Sequence, residues 1–297
     1  MEFRAKTRVR LSKLDWILLI GIAGGLYYAV GISDFSIGYK WNWKVIPQYF
    51  FRFDSSLRTW VPNLLVQGLF TTIRISIWSS LLAILIGICM GLIIRSESLY
   101  LRLIGRTYVE LVRNTPPLVL IFIFYFFFGN QLMVLFGVEE FVAARSEGTK
   151  RALAFLFAPE SQFAAFLSAL FTMAVYEGAY MTEIVRAGLD SVTRGQWEAA
   201  DAIGLRSWPK YRHIILPQAF RTILPALAGQ FISTIKDSAI VSVISIQELT
   251  FQGLELMSAT YLTFEIWITI TLMYFSLTAV CSYAAHRLEK RLRKEGN

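Results

Sequence analysis

Long uncharged stretches dominate the pattern of hydrophobic and polar positions along this chain. A helix needs about 20 mostly apolar residues to cross the ~30 Å hydrocarbon core of a bilayer. Apolar residues here come in blocks of roughly that length rather than at the short periods that build a soluble core. We therefore predict an all-α integral membrane protein with six transmembrane helices. They cover residues 16–32, 75–94, 114–138, 161–176 with an extension through Glu177, 222–247 and 266–285.

The basic residues orient these predicted helices. Lys and Arg concentrate on the cytoplasmic side of membrane proteins. With six crossings both termini share one side, and that side carries 19 basic residues against 7 on the other. We predict a multi-pass protein of a bacterial inner (plasma) membrane with both termini in the cytoplasm. The first helix also fits a signal peptide, but no clear small-x-small cleavage site follows it, so we favour a retained helix.

Composition supports a membrane protein and excludes several other classes. Of the 297 residues, 55% are hydrophobic and 17% are charged, against about 25% charged in soluble domains. The net charge of +8 forms no basic patch with interleaved aromatics, so nucleic acid is not an expected partner. Two cysteines within apolar blocks and two histidines argue against a disulfide scaffold and a structural zinc site. The aromatic-rich segment 33–62 is then external, either as an interfacial belt or as a binding surface.

The cytoplasmic connection 186–221 is long, and its residues predict structure. Residues 197–203 favour a helix, and Gly204 stands where that helix stops and turns. Pro209 can begin a second short helix, and Pro217 is expected to break it before the next span. The product is a helix–turn–helix at the membrane face that suits docking to a soluble partner. A solvated connector is the alternative.

The same loop resembles a known signature. Seven residues in fixed register match the EAA signature of ABC-importer permeases: Glu198, Ala199, Ala200, Gly204, Ile214, Leu216 and Pro217. Flanking residues resemble the polar amino-acid subfamily of these permeases: Gly178-Ala179-Tyr180 with Glu183 and Arg186, Lys236-Asp237-Ser238, and Arg113-Asn114-Thr115-Pro116. A departure is Ser238, where the family commonly has Thr, although the hydroxyl is kept.

The resemblance implies an architecture and a function. The expected domains are an N-terminal basic segment with the first helix and an external loop (1–62), a type-1 ABC permease core (63–286) and a basic cytoplasmic tail (287–297). The first helix is an addition to the core. The implied function is the membrane-spanning subunit of an ATP-driven importer for a polar amino acid. The implied partners are an ABC ATPase dimer on the seven signature residues, a periplasmic substrate-binding protein, and a second permease subunit, identical or similar, in the lipid bilayer.

Ionisable residues inside a span are costly and point to function. Lys236 and Asp237 interrupt the predicted span 222–247. At helical spacing Asp237 shares one face with Gln230, Ser233 and Thr234, and that face can line a wet cavity in which Asp237 binds a substrate ammonium. Lys236 points about 100° away from that face. A Lys–Asp pair that holds the helices of a dimer together is the structural alternative.

Two further sets of residues are candidates in or near the membrane. Asn114 and Thr115, before two prolines, lie where a broken helix can line a substrate site, although a plain kink explains them too. Glu110 and Arg113 are spaced to pair. For Glu177 and Glu183, beside small residues that allow close packing, we favour a role in helix packing over ligand binding.

Catalytic motifs do not accompany these features. The chain has no GxxxxGK[ST] loop, no HExxH and no Ser/His/Asp grouping, so we expect no enzyme activity and no bound cofactor, with ATP used by the partner subunit. The alternatives are an importer of another small polar solute, such as an opine or an amine, and an ion-coupled secondary transporter that uses Lys236 and Asp237. An integral-membrane enzyme is a further alternative, disfavoured by the missing His/Asp/Glu constellation.

Overall fold

The computed structural model describes residues 12–36, 39–55 and 58–294, and most of them are helical. The predicted basic segment before residue 12 and the last residues of the tail lie outside the described residues. The α-helices are α1 (Lys13–Ser36), α2 (Leu64–Ile94), α3 (Leu99–Asn114), α4 (Pro117–Ile123), α5 (Asn130–Leu135), α6 (Val138–Ala143), α7 (Glu147–Leu156), α8 (Phe163–Asp190), α9 (Arg194–Ala202), α10 (Ser207–Lys210), α11 (Leu216–Asp237), α12 (Leu249–Thr260) and α13 (Thr263–Lys294). Shorter elements are the 3₁₀ helices Trp43–Tyr49, Glu160–Gln162 and Ser238–Ile244, the π-helical segments Phe124–Gly129 and Tyr211–Ile215, and the strands β1 (Phe51–Asp54) and β2 (Thr59–Pro62).

The chain divides into two compact units, residues 1–44 and residues 45–297. Within the first unit, α1 begins with a reciprocal cap. The Ser12 amide donates to Asp15 Oδ2 at 2.7 Å, and the Asp15 amide donates to Ser12 Oγ at 3.2 Å. Its continuous apolar stretch, Asp15–Gly25, is shorter than a full crossing. The helix predicted at 16–32 is therefore present, while its passage through the membrane stays a prediction.

Five helical segments of the second unit are long and apolar enough to cross a membrane. Each of them overlaps one of the five later spans that the sequence predicts, and the all-α membrane fold is confirmed. The differences are at the ends: the segment containing α2 begins eleven residues earlier than predicted and takes in Arg74. The five segments are Leu64–Ile94, Pro117–Leu135, Glu160–Asp190, Ser207–Ile244 and Thr263–Arg291.

The core of the second unit is the contact between α2 and α8. Small residues let the two helices approach closely, as the pattern around Gly178 predicts. A Cβ on Gly87 would lie 2.6 Å from the Met181 side chain, and a Cβ on Gly178 would lie 2.8 Å from Ile86. A larger residue at either position would push the helices apart. This packing fixes α8 as the central helix on which the functional groups are mounted.

The structure corrects the role predicted for Pro217. The second helix of the cytoplasmic loop does not end there, because α10 continues through the π-helical segment Tyr211–Ile215 directly into α11. Pro217 lies in the first turn of α11, where its missing N–H costs least. The wider π turn before it relieves the clash that a proline ring makes with the preceding helical turn. The loop and the membrane-spanning helix are thus one continuous body.

Helix α12 is an element that the sequence did not predict. The sequence predicts only a connection between the spans 222–247 and 266–285, yet α12 packs against both α2 and α13 through Leu249 and Leu256. Glu248, fully buried, caps it by accepting from the amides of Thr250 and Phe251 at 2.9 and 2.8 Å. Glu248 also accepts from the Tyr274 hydroxyl at 2.7 Å. One carboxyl therefore joins α12 to α13.

Candidate functional site

The turn predicted in the cytoplasmic loop is present. Helix α9 ends at Ala202, and Gly204 has a φ of +74°, in the left-handed region that favours glycine. Its amide donates to the Asp201 carbonyl at 2.9 Å, and α10 begins three residues later. The loop is therefore a helix–turn–helix, in agreement with the sequence pattern.

One side of this loop is anchored to the membrane-spanning helices. Ala200 is fully buried, and Trp197 packs beside it against a core that includes Leu189 and Ile215. An ion pair between Asp201 and Lys210 ties α9 to α10. Gln218 Nε2 donates to Gln196 Oε1 at 3.2 Å and ties α9 to α11. A force on the loop is consequently passed to α11.

The opposite side of the loop is open. Ile203 and Trp208, on either side of the turn, are 71% and 68% exposed. Large apolar side chains presented together on a turn are typical of an interaction surface. Of the signature residues, Ala200 is buried and Ile214 is half-buried; the others, Glu198, Ala199, Gly204, Leu216 and Pro217, are exposed.

A chain of paired charges runs along the helices next to the loop. Arg95 forms an ion pair with Asp190 and lies over the Trp197 ring at 5.0 Å. Arg186 bridges Asp190 and Glu183, with distances of 2.8 Å to each carboxylate. Each of these charges has an opposite partner, so the chain holds the ends of α2 and α8 and the start of α9 together.

The same network corrects the pairing predicted for Arg113. Its guanidinium lies 3.9 Å from Glu183 and 5.6 Å from the Tyr180 ring centroid, whereas Glu110 accepts from Asn114 Nδ2 at 2.8 Å. A partner three residues away on the same helix competes with a nearer charge on a packed neighbour, and spacing alone does not show the neighbour. The prediction that Glu183 has a packing role agrees with these contacts.

A second group of polar residues lies between α8 and α11, inside the membrane-spanning segments. Gln230 Nε2 donates to Glu177 Oε2 at 2.9 Å, and the fully buried Thr234 donates to the Gln230 carbonyl at 3.1 Å. The half-buried Asp237 is close enough to act electrostatically on Glu177. The predicted face of α11 thus meets α8 at a carboxylate. We call Glu177, Gln230, Thr234 and Asp237 the polar cluster.

The carboxylates of the polar cluster form no ion pair among the described residues, although the neighbouring Lys236 acts electrostatically on Asp237. Glu177 Oε1 is also buried without a hydrogen-bond partner. Lys236 is exposed on the other side of α11, where it lines a cleft against α13, as the helical spacing predicts. Two carboxylates inside membrane-spanning segments without an ion-pair partner point to a functional site.

The remaining predicted site residues lie elsewhere or have no contact with the cluster. Ser233 is half-buried on α11. Asn114 and Thr115 stand at the break between α3 and α4, and the Thr115 hydroxyl donates to the Leu111 carbonyl at 2.6 Å. In the part of the chain described, no hydrogen bond joins Asn114 or Thr115 to the polar cluster. The helix break is as predicted, and a substrate role for these three residues stays a prediction.

Glu177 is the member of the polar cluster for which the sequence favours a role in helix packing. It was interpreted as a packing residue because small residues follow it, and the packing is real. It is also the first charged residue after the uncharged stretch 161–176, so it lies inside a span, as the predicted extension through Glu177 implies. A carboxylate in that position needs a partner, and the amide of Gln230 supplies a hydrogen bond.

Helices of membrane length around a polar cluster, with an exposed helix–turn–helix at one end, define a multi-pass transport protein. Residues 83–294 match the model of the family of binding-protein-dependent transport system inner membrane components. The chain belongs to this family, and it is a multi-pass inner membrane protein of the ABC permease type rather than an enzyme in its own right.

Named relatives of the chain extend this assignment. It is 29% identical over 232 residues to the probable glutamine ABC transporter permease protein GlnM of Bacillus subtilis, covering 78% of this chain and 94% of the relative. It is 30% identical to the glutamine transport system permease protein GlnP of Escherichia coli, covering 77% and 93%. It is 29% identical to the glutamate/aspartate import permease protein GltJ of Escherichia coli, covering 86% and 97%.

Solved structures have the same fold. The crystal structure of an amino acid ABC transporter with histidines matches with a TM-score of 0.65 at 29% identity, over 85% of this chain and 100% of that one. The inward-facing MetNI methionine ABC transporter matches with a TM-score of 0.59 at 17% identity, over 77% of this chain and 96% of that one, and supports the fold alone.

Proposed function

We propose that this chain is the membrane-spanning subunit of an ATP-driven importer that carries a polar amino acid into the cytoplasm. The observation that carries the proposal is the polar cluster: two carboxylates inside the membrane-spanning segments that form no ion pair among the described residues, beside the amide of Gln230. An α-amino acid supplies an ammonium partner. The names of the relatives, permeases for glutamine and for glutamate and aspartate, support the same class of substrate.

In this proposal the residues of the cluster divide the work. Asp237, half-buried, receives the ammonium, and Glu177 and Gln230 form the wall behind it. Ser233 and Thr234 offer hydroxyls on the same helix. Asn114 and Thr115 line the path from the break between α3 and α4. The chain itself holds no cofactor, and ATP is bound and hydrolysed by a partner.

The partners follow from the two ends of the molecule. A dimer of ABC ATPases docks on the exposed face around Gly204, with Ile203 and Trp208 as apolar anchors. Closing of the ATPases around ATP moves the loop, and the continuous helix from α10 into α11 transmits that motion to the polar cluster. A periplasmic binding protein delivers the amino acid at the opposite face. A second permease subunit, identical or similar, completes the path.

The orientation and the domain boundaries complete the proposal. Both termini lie in the cytoplasm, residues 63–286 form the permease core, and residues 1–62 and 287–297 are additions at its ends. A periplasm-specific reporter fused after Asn297 should give no signal, because 19 of the 29 basic residues lie on the side assigned to the cytoplasm. A strong signal from this fusion would contradict the orientation.

The function itself is tested by reconstitution. The chain is assembled with a partner ABC ATPase in proteoliposomes, and uptake and ATP hydrolysis are measured in the presence of a periplasmic substrate-binding protein. L-glutamine, L-glutamate and L-arginine are compared with octopine and putrescine. Stimulation and uptake by one of the amino acids are expected. Stimulation by octopine or putrescine alone would reassign the substrate, and uptake driven by an ion gradient without ATP would refute the proposal.

A further inference from the structure

A second polar site lies at the end of α2 that is remote from the cytoplasmic loop 186–221, the docking loop. A cavity of about 490 Å³ is bounded by the hairpin β1–β2, the first part of α2, the connection from α7 to α8 and the start of α12. Arg74 lines it and is 21 residues before Arg95, which contacts the docking loop, so the two are roughly 30 Å apart along the helix axis. The cavity volume is within the ~300–1,000 Å³ range of small-molecule sites.

Arg74 is a cation inside a membrane-spanning helix without an ionic partner. It is half-buried, and its Nη1 donates to the Phe157 carbonyl at a long 3.4 Å. No carboxylate of the described residues forms an ion pair with it. A guanidinium has five N–H donors, so most of them remain available to a ligand. A charge in this position is costly and marks a functional site.

Gln252 lies in the wall of the same cavity. Its side chain is 2% exposed, and its Oε1 is buried without a hydrogen-bond partner. By contrast, the neighbouring amides of Gln162 and Gln247 satisfy each other, with Nε2 donating to Oε1 at 2.8 Å. Because Oε1 is out of reach of water, Gln252 forms a buried part of the cavity wall rather than a contact for a ligand.

We propose that this cavity is a second, external binding site for an α-amino acid, separate from the polar cluster. Arg74 binds the carboxylate through paired N–H donors, and Asp54, whose carboxylate lines the same cavity, receives the ammonium. Apolar side chains of the wall, such as Phe70 and Phe155, leave room for the substrate side chain. The choice of an amino acid rests on the proposed function, whereas the preference for a carboxylate rests on Arg74 alone.

Binding of L-glutamine and L-glutamate to the purified permease–ATPase complex in lipid nanodiscs tests the site. Equilibrium dialysis is done without the binding protein, and 4-aminobutanamide, which is glutamine without its carboxylate, is the comparison. The wild-type complex should bind an amino acid and not 4-aminobutanamide. Arg74→Gln should weaken binding about tenfold or more, since it removes a charge-assisted hydrogen bond. Arg74→Lys should restore part of the affinity.

Two control variants separate the possible causes. Arg58→Gln makes the same change at an exposed arginine that does not line the cavity, and it should bind as the wild type does. Arg194→Gln, at an exposed arginine of the cytoplasmic loop, should also bind as the wild type does. Equal affinities in Arg74→Gln and the wild type, or no amino-acid binding at all, overturn the proposal. So does a result in which Arg74→Gln changes only the retention of phosphatidylglycerol, because the cavity is then a lipid site.

Transport by the same variants distinguishes this proposal from the function on which it rests. If the complex binds carboxylates through Arg74 but imports no amino acid, the proposed function is refuted while the external site still stands. Normal import in a complex whose binding ignores Arg74 would refute the site and leave the function.

Discussion

Two groups of charged residues on α8 differ in how their charges are balanced. At the cytoplasmic end, Asp190 and Glu183 share Arg186, and Asp190 also holds Arg95. About two turns further into the membrane, Glu177 meets an amide instead of a cation. Asp237 on α11 likewise forms no ion pair among the described residues. Water reaches the first group, while the second is largely buried.

The difference distinguishes charges that hold helices together from charges that are available to bind a ligand. Pairs near water are easy to form and individually contribute little, so their use is to hold helix ends in one arrangement. An unbalanced carboxylate in the membrane destabilises the empty protein and gains most when a cation arrives. We therefore expect mutations of the ion-paired charges at the cytoplasmic end to change assembly of the complex and the coupling of uptake to ATP hydrolysis. Mutations in the polar cluster should change substrate affinity.

Among changes at the cytoplasmic end, the largest effect is expected at the turn of the loop 186–221. Gly204→Val places a β-branched residue at a φ of +74°, which such residues avoid, so the turn must change shape. ATP-driven uptake should fall by about tenfold or more, since the anchoring of α9 and α10 depends on this turn. Uptake in proteoliposomes and recovery of the ATPase on the tagged permease measure the effect.

Gly195 provides the matched control for that turn. It lies in the same loop, and a Cβ there meets nothing within 4 Å, as at Gly204, but its backbone φ is not positive. Gly195→Val should retain most of the uptake. Equal losses in the two variants would show that added bulk, rather than backbone conformation, disturbs the loop.

A further carboxyl, Glu248, extends the comparison because it is buried among neutral hydrogen-bond donors. Burial raises the pKa of Glu248 from 4.5 to about 7, so the folded protein favours its neutral form. Its contribution to stability is complete below pH 4.5 and is lost as the pH rises through 7. The thermal stability of the detergent-purified complex should therefore decline from pH 5 to pH 8.

Substitution of Glu248 tests that assignment. Glu248→Gln cannot ionise, and it should flatten the pH dependence while costing about 1–3 kcal/mol, because one amide that it caps loses its acceptor. Glu255→Gln, at an exposed position of α12, serves as the control and should follow the wild type. If Glu248→Gln keeps the pH dependence of thermal stability, a group other than Glu248 causes it.

The smallest effect is expected from the paired charges themselves. Arg186→Gln breaks two ion pairs that are partly exposed, so a loss of roughly 1 kcal/mol and a few-fold lower coupling of uptake to ATP hydrolysis are expected. Arg194→Gln breaks a pair whose arginine side chain is 92% exposed and should have no measurable effect. A lower substrate affinity in Arg186→Gln would show that the ion-paired charges also affect substrate binding, which contradicts the distinction from the polar cluster.

The sequence predicts the docking loop better than the polar cluster, for a physical reason. The loop depends on local chemistry: its left-handed turn falls at Gly204, and a glycine in the sequence directly indicates such a turn. The cluster depends on which helices touch: spacing placed Gln230 and Asp237 on one face, but only packing shows that Glu177 meets them. The continuity of α10 and α11 past Pro217 was missed because a π turn has no sequence signal.

The same limit applies to α12. Its apolar residues are too few to predict a span, and they become a helix through contacts with α2 and α13 that are distant in sequence. Glu248 precedes it as an ordinary capping residue, and its burial is a property of the packed structure.

The central claim is that the polar cluster binds the substrate ammonium, and one variant tests it most directly. Asp237→Asn keeps size and hydrogen bonding but removes the charge, and Lys236→Gln is the control on the exposed side of the same helix. Uptake affinity and the yield of the assembled complex are measured on both. The account predicts an affinity about tenfold or more weaker in Asp237→Asn at normal yield, and wild-type affinity in Lys236→Gln. Wild-type affinity in a poorly assembled Asp237→Asn complex would contradict it and make Asp237 a residue of the helix interface.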